Sequence, residues 1–129
     1  MVIDSSALLA ILLGEPEADR FARLVALDPR RLASSVSALE TAIVIYARKG
    51  PAGVRELDLL LHAGGVTIVS LDAEQVLGAR AAHEKYGKGH HPAALNLGDC
   101  CSYALAQSSG QPLLFKGDDF ARTDVAAVA

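Results

Sequence analysis

The chain has no tryptophan, only three tyrosines and three phenylalanines, and a single methionine in 129 residues. Its core must therefore be aliphatic, built from Leu, Val, Ile and Ala. Hydrophobic residues make up 51% of the chain, enough to fill one core, and the length fits a single domain over residues 1–129. There are two cysteines, Cys100 and Cys101, and they are adjacent. Sequence neighbours rarely meet disulfide geometry, so no disulfide framework is expected. They read as small core residues of a reducing compartment, which makes the cytoplasm the expected location. No run is long and apolar enough for a membrane span, because Asp4 and Gly14-Glu15 bound the first apolar stretch. That stretch also lacks the basic leader of a signal peptide.

Several catalytic signatures are missing as well. There is no Walker A or G-x-G-x-x-G loop and no G-x-S-x-G elbow. His90 and His91 are adjacent rather than four apart on a helix, so they are not a helical zinc pair. Nor is there an excess of positive charge: 12 Lys and Arg stand against 15 Asp and Glu, for a net charge of −3. That sum conceals its distribution. Setting aside Asp4, Glu40, Asp99, Asp118 and Asp119 leaves 12 basic residues against 10 acidic, a remainder of +2. If cations neutralise those five acids, the surrounding surface need not repel phosphate.

What the chain does have is strands that alternate with helices. Val2-Ile3 reads as a short buried strand ending at Asp4, with a helix over residues 6–13 and Gly14 to stop it. Glu15-Pro16-Glu17 opens a second helix with an apolar face of Phe21, Leu24, Val25 and Leu27. Residues 30–34 are a weak strand candidate. Ser37-Ala38-Leu39-Glu40 has the capping-box pattern of a third helix that stops at Gly50-Pro51, and a fourth follows over residues 52–63. Residues 66–69 read as a strand, and Asp72 as the cap of a fifth helix ending near Tyr86. After a Gly- and Pro-rich loop, a sixth helix covers residues 97–108 and a strand residues 113–115. Lys116-Gly117-Asp118-Asp119 reads as a turn, and residues 123–128 as a final edge strand. This alternation predicts a three-layer α/β/α domain around a parallel sheet of four to five strands.

Asp4 and Asp118 follow strands directly, whereas Glu40 and Asp99 open helices. In such a fold all four emerge at the carboxyl end of the sheet, where open α/β sheets place ligands. Each also has a structural role available to it. Asp4 can cap the first helix, Glu40 can complete a capping box with Ser37, Asp99 can favour a helix N-terminus, and Asp118 and Asp119 can be turn residues. Four acids at one rim are harder to explain structurally. Two like charges 4 Å apart repel by about 4 kcal/mol at an effective dielectric of 20. A divalent cation relieves that repulsion, and oxygen-only ligands favour Mg²⁺ or Mn²⁺ over zinc. Such ions serve phosphodiester chemistry.

With these residues in place, the chain resembles the PIN-domain ribonucleases, and within them the VapC-type toxins of type II toxin–antitoxin pairs. The matching pieces are Val2-Ile3-Asp4-Ser5-Ser6, Ser37-Ala38-Leu39-Glu40, the run from His91 through Asn96-Leu97-Gly98-Asp99-Cys100, and Leu114-Phe115-Lys116-Gly117-Asp118-Asp119-Phe120. The resemblance implies a Mg²⁺- or Mn²⁺-dependent endoribonuclease with Asp4 and Asp99 as main metal ligands, and Glu40 holding metal or the attacking water. It implies a fourth acid at Asp118 or Asp119, Asp118 being nearer the strand end, and a possible further role for Ser5. It also implies a structured RNA substrate such as transfer RNA, a homodimer and a VapB-type antitoxin. Similar toxins usually carry an Arg where His90 stands, a departure from the family's phosphate contact; Lys85, Lys88 and His90 remain the candidates to face RNA, with Lys88 and His90 in the same loop. The alternative is a PIN-like module that binds RNA or a partner protein without cutting. A haloacid-dehalogenase-type phosphatase would need a second Asp where Ser6 stands.

Overall fold

Val2–Ile3 form strand β1, and both residues are fully buried because the sheet is covered on each face. The computed structural model describes residues 1–128. From β1 the chain enters helix α1 (Ser5–Leu12) and helix α2 (Ala18–Leu27), then strand β2 (Leu32–Ser34) and the long helix α3 (Ser35–Ala63). Strand β3 (Thr67–Val69), helices α4 (Ala73–Tyr86) and α5 (Leu97–Ser109), and strand β4 (Leu113–Leu114) complete the order, with a 3₁₀ turn at Phe120–Arg122.

The four strands are all parallel in the order β3-β2-β1-β4, with Val2 in register with Leu32 on one side and Leu113 on the other. Side chains alternate across β1, and this builds the layers. Val2 packs with Ala82, Tyr86, Cys100 and Tyr103 of α4 and α5. Ile3 packs with Ala7, Leu8, Phe21 and Val25 of α1 and α2. Leu12, Ile45 and Leu57 form a smaller cluster joining α1 to α3. The chain leaves β1 towards β2 and β3 and returns as β4 on the other side. The crevice between the carboxyl ends of β1 and β4 is therefore a topological switch point, where such sheets bind ligands.

Four local expectations need correction. The predicted third and fourth helices run end to end as α3, which breaks at Gly50, where φ is 64° and ψ −154° ahead of Pro51. The start of α3 also moves. Ser34 is the cap, accepting from the Val36 N–H at 3.2 Å, because β2 passes straight into the helix. Ser37 is thus inside the helix, and the capping box with Glu40 does not form. Leu27 is 82% exposed rather than part of the α2 core face, because only Phe21 and Val25 are buried there. Finally, residues 123–128 make one parallel bridge, Leu113 with Ala127, instead of a fifth strand.

Candidate active site

Asp4 leaves the end of β1 and caps α1. Its Oδ2 accepts from the Ser6 backbone N–H at 3.0 Å and the Ser6 hydroxyl at 2.7 Å, and its Oδ1 accepts from the Ser102 hydroxyl at 2.6 Å. The residue is 1% exposed. Burial pushes its carboxyl above the ordinary range, the Ser102 and Ser6 hydrogen bonds pull it down, and the charge of Glu40 pushes it up again. Cap and site acid are therefore one carboxylate. The Ser6 hydroxyl also accepts from the Lys116 N–H at 3.0 Å, which ties the end of β4 to the end of β1.

Glu40 sits in the second turn of α3, released from capping by the earlier helix start. Its Oε1 accepts from the Ser5 hydroxyl at 2.6 Å. Among the described residues its Oε2 has no donor. Gly98 lies against this carboxylate. A Cβ at position 98 would stand 2.8 Å from Oε1 and 3.0 Å from Oε2, so any side chain there would displace the acid.

Asp99 and Asn96 cap α5 reciprocally. The Asp99 N–H donates to Asn96 Oδ1 at 2.9 Å, and the Asn96 N–H donates to Asp99 Oδ2 at 3.0 Å. Oδ1 of Asp99 is left without a donor among the described residues. Burial pushes this carboxyl up to about 6, the Asn96 N–H pulls against it, and the charges of Asp4, Asp119 and Glu40 push it further up. The structure thus brings Asp4, Glu40 and Asp119 within electrostatic reach of Asp99, and Glu40 within reach of Asp4. Asp118 is not among the charges that raise Asp99 most. Both Asp118 and Asp119 lie on the exposed turn after β4, and Asp119 leads into the 3₁₀ turn.

Among the described residues, no salt bridge reaches any of these five acids. Lys116, the nearest cation in sequence, is paired with Glu15 and, at 3.4 Å, with Glu17 at the entry to α2. Lys85 lies 3.8 Å from Asp124 and over the Tyr86 ring. Lys88 remains exposed, and the ring of exposed His90 is edge-on to His83, with its Nε2 2.5 Å from the His83 carbonyl oxygen. The site is an oxygen-only set held by hydroxyl and amide donors, and its own negative charge is not neutralised. Such a set fits a hard divalent cation. Among the described residues, no three His, Cys, Asp or Glu side chains are gathered tightly enough to enclose an ion.

Sequence reasoning missed Ser6 and Ser102 as partners of Asp4, Ser37 as the partner of Ser102 rather than of Glu40, and Gly98 as the gap that admits Glu40. A signal was present for two of them. Ser102 follows Asp99 by three residues and Ser37 precedes Glu40 by three, so each shares a helix face with its acid.

The PIN domain family matches residues 1–126. A VapC ribonuclease of Mycobacterium bovis is 59% identical over 129 residues, covering 100% of this chain and 98% of that one. A ribonuclease VapC of Mycolicibacterium smegmatis is 60% identical over 128 residues, covering 99% of each. Among solved structures, Mycobacterium tuberculosis VapC20, described as a toxin cleaving the sarcin–ricin loop, superposes with a TM-score of 0.80 at 18% identity, covering 98% of this chain and 97% of that one. A toxin–antitoxin complex from Klebsiella pneumoniae gives 0.75 at 19% identity, covering 98% and 95%. At those identities the two structures speak for the fold alone.

Proposed function

The chain belongs to the PIN-domain family, where it stands among the VapC endoribonucleases, and from that premise we propose that it is a Mg²⁺- or Mn²⁺-dependent toxin that cuts structured RNA. Transfer RNA is the substrate proposed within that class. The observation that carries the proposal is the set of three acids, Asp4, Glu40 and Asp99, at the β1/β4 crevice with no cation among them. Asp99, through its free Oδ1, and Asp4, through the lone pairs its hydrogen bonds leave open, are the proposed direct ligands. Asp4 is buried and fixed by Ser6 and Ser102, and the turn after β4 supplies a fourth acid. A bound ion supplies a water of lowered pKa and a positive charge against the phosphate oxygens. Glu40 is the residue placed to take a proton from the attacking water through its free Oε2. Lys88 and His90 are proposed to hold the RNA backbone beside the site.

The fourth acid is proposed to be Asp119, since its charge reaches Asp99. Asp119→Asn should lower RNA cleavage in Mn²⁺ by about 10²-fold, on the scale of losing one group that stabilises transition-state charge. Asp118→Asn should retain most of the activity. The reverse order in a cleavage assay would return the role to Asp118.

The partners are a VapB-type antitoxin that blocks the site, supported by the fold shared with the Klebsiella complex, and a second copy of this chain. Support for the homodimer comes from an exposed apolar stripe on α3, Leu39, Ile43 and Tyr46, beside exposed Leu97 of α5. Stripes of this kind mark association surfaces. Sedimentation should give a dimer that Ile43→Lys converts to a folded monomer, and a wild-type monomer would remove the homodimer from the proposal. The toxin is proposed to act in the cytoplasm. Among the described residues, no helix is long and apolar enough to cross a membrane.

A further inference from the structure

Three carboxylates that repel one another must be held in place for this chemistry, and among the described residues none of them is paired with a cation. We propose that Ser37 and Ser102 are positioning residues that lock the relative placement of Asp4, Glu40 and Asp99, an inference that rests on the ribonuclease proposal above. Ser102 lies three residues after Asp99 on α5, and Ser37 three before Glu40 on α3. Each therefore stands on the face of its acid, one helical turn away. Both serines are 0% exposed. Their hydroxyl oxygens are 2.9 Å apart, and that of Ser102 is 2.6 Å from Asp4 Oδ1.

The direction of this chain follows from what each group can do. An ionised carboxylate only accepts, so Ser102 donates to Asp4. Its single proton is then spent, and Ser37 must be the donor to Ser102. The order Ser37 to Ser102 to Asp4 ties together the helix that carries Glu40, the helix that carries Asp99 and the end of β1. Two other hydroxyls also hold the acids, Ser6 on Asp4 Oδ2 and Ser5 on Glu40 Oε1, but neither links α3 to α5. Thr41 donates to the Ser37 carbonyl at 2.7 Å, and Ser109 to the Leu105 carbonyl at 2.6 Å, both within their own helices. Without the Ser102 hydroxyl, Asp4 Oδ1 has no donor in a buried site, and only the Ser6 donors on Oδ2 still hold the carboxylate.

The test measures Mn²⁺ binding to the purified chain by calorimetry, beside RNA cleavage and thermal melting. Ser102→Ala should weaken Mn²⁺ binding about 10-fold, the usual scale for a group that orients a metal ligand. Ser37→Ala should weaken it by a smaller factor, with no further loss when added to Ser102→Ala, because its effect passes through Ser102. Ser109→Ala should bind as wild type. Should Ser102→Ala fail to fold, Ser37→Ala carries the test alone. Lower melting temperatures with unchanged Mn²⁺ affinity would make the serines mere core residues and overturn this proposal alone. A wild-type chain that neither binds Mn²⁺ nor cuts RNA overturns the ribonuclease proposal as well.

Discussion

Asp99→Asn is expected to reduce RNA cleavage in Mg²⁺ or Mn²⁺ by about 10³-fold while the protein stays folded, on the scale of losing a charge that the transition state requires. Two features of Asp99 make this substitution clean. Asn keeps an oxygen to accept the Asn96 N–H, so the reciprocal cap of α5 survives. It also removes the negative charge that Asp4, Asp119 and Glu40 oppose. Stability should therefore hold or improve as activity disappears, a combination that general damage does not produce. The measurements are cleavage of cellular RNA by purified protein, melting temperature, and growth arrest on expression. Wild-type cleavage by the variant would remove Asp99 from the mechanism. It would favour a module that binds RNA or a partner without cutting.

The metal-free protein should lose stability as pH rises from about 4 to above 6, and divalent ion should restore it. The carboxyl of Asp99 is raised from 3.8 to about 6 in the fold. The folded state therefore holds a proton that the unfolded chain has already released, and stability falls as pH rises through that window. A change of that size corresponds to about 3 kcal/mol. Water screens this partly exposed side chain, which leaves about 1–2 kcal/mol. For a chain of this length the loss appears as roughly 5 °C in melting temperature. Asp4 is raised as well, mainly by burial, and adds in the same direction. The readout is the wild-type melting temperature against that of Asp99→Asn across pH, since other groups titrate in both. Equal slopes would mean that Asp99 is not held under repulsion. Asp4→Asn belongs to the same experiment. It retains an acceptor for the Ser6 N–H and should cost little, whereas Asp4→Ala strips the cap and the partner of Ser102 and should cost about 1–3 kcal/mol.

Much of this was legible beforehand, for local reasons. Asp72 caps α4 through the Gln75 N–H at 2.8 Å because an Asp before an apolar-periodic run is a cap signal in any context. Glu40 was harder. Ser37 and Glu40 satisfy the capping-box spacing, and nothing in the sequence says that β2 runs directly into α3 and moves the cap to Ser34. The choice between Asp118 and Asp119 was open to sequence, because adjacent acids on one turn satisfy the same spacing; the charge of Asp119 on Asp99 is what favours it in the proposal. Leu27 continued an apolar pattern past the point where a neighbour remained to cover it.

The sequence by itself determined the order of strands and helices and the places of the acids along it, since periodicity, capping and turn chemistry act over a few residues. The tertiary structure alone decided how those acids are held. The Ser102 hydroxyl meets Asp4 across 98 positions of chain, and Gly98 leaves room for a carboxylate from another helix. Such contacts depend on how closely α3, α5 and β1 approach one another, and that distance is set by the packing of the whole sheet and its two helical layers.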